Sequence, residues 1–457
     1  MAFHVDDYQI RWQNYRPFRD TGWITIRPLT ILLGPNNAGK TSVFSPLLVM
    51  AQTVMSPDSE TPLITKEELV DLGGFRDLVR NNFTKQNVVL GLKFHLHQQS
   101  GKAGKIGAEP PGVIEATFGV GSHPEEPVLK KVKISDAFSR PMFTRTRRGS
   151  GFQLSSKFLR PMHKIERELV REERPYNFLF TPTTALSRAR GKRTQELASS
   201  KYSEGFSTYL SAVGFATSEL VRFFGRLTYV GPLRERPKRF YEVSGAIPSS
   251  VGVRGEDMAN MIRRRWKQIR APLNKWVRRF EFGSSISLSS NRTGEFSLFF
   301  KLGSRKMNIA DAGFGTSQVL PLIVQAIVAP ENTLTIAEQP EIHLNPKLQS
   351  TLADLFVEMA NSDHRVIVET HSEHLLLRLR RLVAKGTIKN SKVAIYYIER
   401  VGDESKIREI RLEGNGSVRA NDWPAGFFDD SLKESLSLAQ DQYSATRRRS
   451  QHSTRSA

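Results

Sequence analysis

The apolar run Leu29-Thr-Ile-Leu-Leu33 passes directly into Gly34-Pro-Asn-Asn-Ala-Gly39-Lys40-Thr41, a junction that constrains the fold more than any other stretch of the chain. A strand-like segment ends in a turn whose glycines let successive backbone N–H groups curl around one anion, and the following helix points its positive end at the same place. In such a unit Gly34, Asn36, Asn37, Ala38, Gly39 and Ser42 surround the anion, Lys40 reaches the β/γ-phosphates of a nucleoside triphosphate, and the Thr41 hydroxyl holds Mg²⁺. ATP and Mg²⁺ are therefore the expected cofactors.

Three later stretches follow in a telling order. Met307–Gln318 contains the small-residue turn Gly313-Phe-Gly315-Thr-Ser317-Gln318 and leads into an apolar run. Leu334-Thr-Ile-Ala-Glu338 is followed by Gln339-Pro340-Glu341-Ile-His343-Leu-Asn345-Pro346, and Arg365-Val-Ile-Val-Glu369 by Thr370-His371-Ser372. An apolar strand ending in an acid is how a P-loop enzyme delivers a carboxylate to the magnesium shell, which makes Glu338 the expected metal partner of Thr41. The third stretch brings the His371 imidazole to the same sheet edge, beside the γ-phosphate.

With these stretches the chain resembles an ABC-type ATPase of the group that includes the RecF, SMC and overcoming-lysogenisation ATPases. Within that group it is most similar to bacterial AAA-family ATPases with a DUF3696 C-terminal region. The resemblance also rests on Phe18–Gly22, Asp71-Leu-Gly-Gly-Phe75-Arg-Asp-Leu78, Tyr229-Val-Gly-Pro-Leu-Arg234, Thr370–His374 and Trp423–Asp430. It implies an α/β fold of the ABC-ATPase head type, a mixed sheet flanked by helices with an inserted, partly helical lobe. It further implies a homodimer or higher oligomer, in which Gly313, Gly315, Ser317 and Gln318 of one head close on the nucleotide of its twin. The turn departs from the usual Leu-Ser-Gly-Gly-Gln pattern, and Gln52 and Gln86 are both candidates for the glutamine of the Q-loop, with neither assigned.

One departure bears on mechanism. Heads of this type carry an acidic pair, whereas Gln339 follows Glu338 here. An amide orients water but cannot take its proton, so Glu338, Gln339 and His371 form a catalytic set with slow turnover, in which ATP acts as a clamp. Glu341 is the candidate substitute for the missing acid.

With 67 basic against 46 acidic residues the formal net charge is +21, which suits nucleic acid or an acidic protein as partner. Residues 129–171 hold twelve Lys/Arg against three Asp/Glu, and 263–279 hold eight against none. In the second stretch Met258, Ile262, Trp266, Ile269, Leu273, Trp276 and Phe280 recur at helical spacing, predicting a helix kinked at Pro272 with its tryptophans in the core and its arginines outside. Zero cysteines exclude disulfides and thiol chemistry. No apolar run is long enough to span a bilayer and no secretory signal opens the chain, so a cytoplasmic enzyme without a membrane partner is expected.

The expected organisation is an N-terminal part of the core over 1–97, a linker and inserted lobe over 98–225 with Gln98–Glu126 as loop, and the basic helix with returning strands over 226–299. The C-terminal part of the core follows over 300–435, then a basic tail over 436–457. Asn345 with Pro346 starts a helix, and Val393–Glu399 reads as a late strand. Only about eighty residues follow His371, too few for a nuclease domain beside the remaining core, so a separate effector protein is expected. The function this favours is a nucleotide-switched sensor or scaffold in anti-phage defence. A RecF-like role in DNA maintenance is the alternative, and a transporter ATPase subunit fits less well.

Overall fold

The computed structural model describes residues 3–98, 111–181, 202–245, 248–291, 294–419 and 437. At its centre lies a six-stranded sheet in the order Leu227–Val230, Leu334–Glu338, Arg365–Glu369, Leu29–Leu33, Val393–Val401, Glu404–Glu409. The first five strands run parallel and the last turns back antiparallel. Leu29–Leu33 and Leu334–Glu338 are buried throughout, as expected for strands covered on both faces.

Alternate side chains of these strands feed two cores. Leu32, Ile336 and Ile367 pack with the helix Thr41–Met55 on one face. Ile31, Ala337 and Val368 pack with the helices Phe314–Val328, Pro346–Asn361 and Glu373–Ala384 on the other. Because strand side chains alternate with period two, Glu338 and Glu369, one residue past Ala337 and Val368, are placed on the face of the Thr41–Met55 helix. Two of the opposite helices start where local chemistry starts them: Asn345 and Ser372 accept the N–H groups of Leu348 and Leu375, each at 3.0 Å, and Pro346 occupies the first helical turn.

A second, antiparallel sheet of eight strands joins Phe3–Tyr15 to Val88–Gln98 and continues through Pro111–Val120, Pro127–Asp136, Pro141–Arg148 and Gly151–Ser155. This corrects the reading of Gln98–Glu126 as a loop. Residues 99–110 lie outside the description, but 111–120 pair along the sheet and bury Val113, Ile114, Ala116 and Phe118. The Gly- and Pro-rich approach conceals that strand in the sequence. The expected lobe is partly helical, in Lys164–Glu172 and Glu204–Phe224, yet its first part extends the sheet.

The basic helix also differs from expectation. It is two helices, Met258–Arg264 and Trp266–Arg279, broken at Arg265, with Pro272 inside the second. Trp276 is fully buried while Trp266 is only partly so, covered by the Arg270 guanidinium. Trp423–Asp430 and the basic tail apart from Ser437 lie outside the described residues.

One buried charge pins the antiparallel sheet to its helices. Arg145 pairs with Glu173, bonds the Tyr209 hydroxyl at 2.6 Å and lies 4.2 Å over the Phe180 ring. Removing one partner leaves the other charge buried and uncompensated, so Arg145→Ala is expected to lower stability by about 3–5 kcal/mol. Urea unfolding of the full chain measures this; a loss near zero would show that water replaces the pair.

Candidate functional site

The turn after Leu33 takes the shape its glycines permit. Gly34 has φ +148°, and a Cβ there would lie 2.1 Å from the Ile398 carbonyl oxygen. At Gly39, φ +98°, a Cβ would meet Pro17 at 2.7 Å. Both positions therefore require glycine. Lys40 is buried and donates to the carbonyls of Gly34 at 3.2 Å and Pro35 at 2.9 Å. Burial pulls its pKa down, opposed by the charges of Glu369, Glu341 and Glu338.

A cavity of about 810 Å³ opens on this turn. Asn36, Asn37, Gly39, Lys40, Thr41, Ser42, Glu338 and Gln339 line it, so the structure brings together most of the residues expected from sequence. Gly34, Ala38 and His371 support the edge without lining the cavity. Arg16, Asn81, Asn82, Arg400 and Asp403 form its far rim, where Arg80 and Asp403 pair at 2.6 Å.

Glu369 also lines the cavity, and the sequence reading did not single it out. It stands opposite Glu338 in the parallel register. The Thr41 hydroxyl lies 3.0 Å from Glu369 Oε2 and 3.3 Å from Glu338 Oε1, and the Tyr229 hydroxyl donates to the other oxygen of Glu338. Burial, reinforced by the Glu338 charge, pushes the Glu369 carboxyl up to about 7, against the opposing pull of Lys40. Burial likewise raises the Tyr229 phenol, which stays protonated. The available signal was the shared pattern of two apolar strands that both end in glutamate.

Gln339 sits in a left-handed turn, φ +43°, with its N–H on the Glu369 carbonyl at 2.8 Å. Arg234 is buried behind it and donates to the carbonyls of Glu338 at 2.7 Å and Gln339 at 3.4 Å; burial lowers its pKa to about 10. Glu341, the candidate substitute acid, does not line the cavity. Its Oε1 accepts the His371 N–H at 2.7 Å, and burial raises its pKa. Burial and the Lys40 charge lower the His371 pKa, which keeps the imidazole neutral.

The small-residue turn lies apart from this cavity. Ser317 and Gln318 are buried and bonded within their own chain, Ser317 to the Phe314 carbonyl at 2.6 Å and Gln318 to Ser317 at 3.1 Å. What the turn exposes is Gly313 and Phe314. The His343 ring meets Phe314 edge-on at 4.5 Å and Arg236 lies 5.3 Å from it. Gln52 is a core clamp, its amide on the carbonyls of Ile64 and Val70.

The family model described as "AAA domain, putative AbiEii toxin, Type IV TA system" matches residues 159–378, and "Protein of unknown function (DUF3696)" matches 388–438. The chain carries an AAA domain followed by a DUF3696 region. The AAA match includes Glu338, Glu369 and His371; the phosphate turn lies before it. No curated protein matches the chain. Among solved structures it is similar to an SMC head bound to the C-winged helix domain of ScpA, at 12% identity and TM-score 0.39, over 90% of this chain and 98% of that one. It is also similar to the SMC head domain from Thermotoga maritima, at 10% identity and TM-score 0.35, over 90% and 100% of the two chains. An Smc head with a coiled coil and joint derived from Pyrococcus yayanosii matches at 10% identity and TM-score 0.42, over 91% and 98%. The AAA domain and the strand–turn–helix at the sheet edge make this a P-loop ATPase fold. Among the described residues no helix is long and apolar enough to cross a membrane.

A carboxyl raised in the folded state holds its proton more tightly there than in the unfolded chain. The stabilisation from Glu369 is thus complete below its ordinary value of 4.5 and fades as pH rises through about 7. In EDTA and without nucleotide, the melting temperature is expected to fall across that window, and less steeply in Glu369→Gln. Equal slopes for the two proteins would show that Glu369 does not titrate there.

Proposed function

We propose that the chain is a Mg-ATP-dependent switch: ATP occupies the cradle of residues 34–42 and draws two copies face to face, and slow hydrolysis releases them. The observation that carries this reading is the meeting of Lys40, Thr41 and Glu338 at the mouth of one cavity. The cavity offers hard oxygens, a hydroxyl and carboxylates, which suit Mg²⁺. Thr41 and Glu338 would hold it, and bound there it neutralises phosphate charge.

The remaining steps belong to the protein's own groups. Lys40 offers an ammonium to the terminal phosphates, and the backbone N–H groups of the turn take their oxygens. Gln339 orients water but accepts no proton, so turnover is slow and the nucleotide-bound state persists. The exposed turn at Gly313 and Phe314 is the surface that would close on the twin's phosphate.

Such a switch suits a sensor or scaffold in anti-phage defence that acts through a separate effector. The DNA-maintenance reading draws on the net charge of +21, but many cations of 263–279 are committed inside the chain. Arg265 bonds the Val328 carbonyl, Lys275 pairs with Glu358, and Arg279 with Asp354. Lys267 and Arg270 are exposed, and so are Arg264, Lys275, Arg278 and Arg279, so the ion pairs partly neutralise this face without burying it. This favours an acidic protein or a limited nucleic-acid contact over a continuous DNA track.

Two measurements test the switch. Sedimentation with Mg-ATP is expected to show dimers in the natural chain and monomers in Lys40→Ala and Glu338→Ala; association unaffected by ATP would end the reading. In single-turnover assays Gln339→Glu is expected to hydrolyse about a hundredfold faster, within the range a positioned base contributes. An unchanged rate would show that another group already takes the proton.

A further inference from the structure

We infer that Glu369 is a second carboxylate of the magnesium site, closing on the ion together with Thr41 and Glu338. This rests on the ATP reading above and adds to it a residue whose role becomes visible only when the two glutamate-ended strands are seen side by side. Three observations carry it.

The first is convergence. Glu338 and Glu369 end neighbouring parallel strands at the same register position, on the face of the helix that Thr41 begins. Their carboxylates approach one hydroxyl, at 3.3 and 3.0 Å. A hydroxyl has one proton and can donate to only one of them at a time. Two acids gathered around a single donor are oriented for a cation.

The second is charge. Glu369 is 3% exposed and Glu338 9%, so holding both carboxylates ionised side by side is costly unless a cation lies between them. The nearest ammonium, Lys40, makes its hydrogen bonds to the turn's own carbonyls. Tyr229 satisfies only one oxygen of Glu338. A divalent cation with a preference for hard oxygen donors supplies what the protein's own side chains do not.

The third is the direction of the alternative acid. Glu341 turns to the His371 backbone and away from the cavity lining, and Gln339 carries no charge. Glu369 therefore restores the second carboxylate of the site, from the neighbouring strand, and places it against Thr41. Contact with Thr41 assigns it to the metal and not to the attacking water.

The test titrates Mn²⁺ into the full-length chain with a non-hydrolysable ATP analogue, read by electron paramagnetic resonance. Fluorescent-nucleotide binding in EDTA runs beside it. Glu369→Gln is expected to weaken Mn²⁺ affinity by roughly 10–100-fold, whereas nucleotide affinity in EDTA does not fall, because the variant removes a negative charge from the cavity that receives the phosphates. Glu369→Asp, which keeps the charge on a shorter arm, is expected to fall between, and thermal melts verify that both variants fold. Unchanged Mn²⁺ affinity in Glu369→Gln overturns the inference even if hydrolysis is lost, since that pattern belongs to a base. An equal loss of nucleotide with and without metal also overturns it. A natural chain that binds no nucleotide in either condition overturns the ATP reading itself.

Discussion

Three strands share one hydrogen-bonded register, and the site exists because of it. Glu338 stands opposite Glu369, and Glu369 opposite Leu32, two residues before the glycine turn. The ladder continues past the strand ends, where the N–H of Gln339 reaches the Glu369 carbonyl at 2.8 Å and that of Thr370 the Leu32 carbonyl at 3.1 Å. A slip of one residue would send either carboxylate to the opposite face. What prevents the slip is that each face belongs to a different core, so Ile31, Ala337 and Val368 cannot exchange sides with Leu32, Ile336 and Ile367 without repacking both.

Arg234 gives this edge its second dependence. Its guanidinium fastens the carbonyls of Glu338 and Gln339, and its own carbonyl faces the Gln318 amide at 3.5 Å. The metal-side strand end and the helix that begins at the small-residue turn are thus held by one buried cation. In the proposed face-to-face pair these two elements would serve different nucleotides. A shift of the turn upon closure would then reach the acidic edge of the same subunit through Arg234, without a long pathway.

What could be read in advance was local. The strand–turn–helix at residues 29–41, the Asn345 cap, the acid at the end of Leu334–Glu338 and the late strand at Val393 each declare themselves within a few residues. Glu369 did not, because its meaning comes from a partner thirty-one positions away on another strand. The fate of the basic residues was hidden for the same reason: Lys275 finds Glu358 and Arg279 finds Asp354 only after the chain folds back. Periodicity located the basic helices but not the break at Arg265, which falls about two turns before the expected kink at Pro272.

Several buried polar atoms lie where the proposed closure would act. Gln318 Oε1, Arg234 Nε, Glu341 Oε2 and His371 Nε2 are buried without a hydrogen-bond partner. All four belong to segments that meet behind the phosphate edge, joined through Arg234, Glu338 and the His371 backbone. A buried polar atom without a partner costs about 1–3 kcal/mol; such atoms also occur elsewhere in the fold, at Ser135 and Asn177 for example, so what singles out these four is their place behind the phosphate edge. Nucleotide binding and closure against a second head would reorganise these segments. Under the proposed switch, any free energy gained by satisfying such groups would favour the closed state and add to what the phosphate contributes directly. In that proposal, a cation at the acidic edge and rearrangement of the polar shell would act in the same direction, toward a clamp that holds.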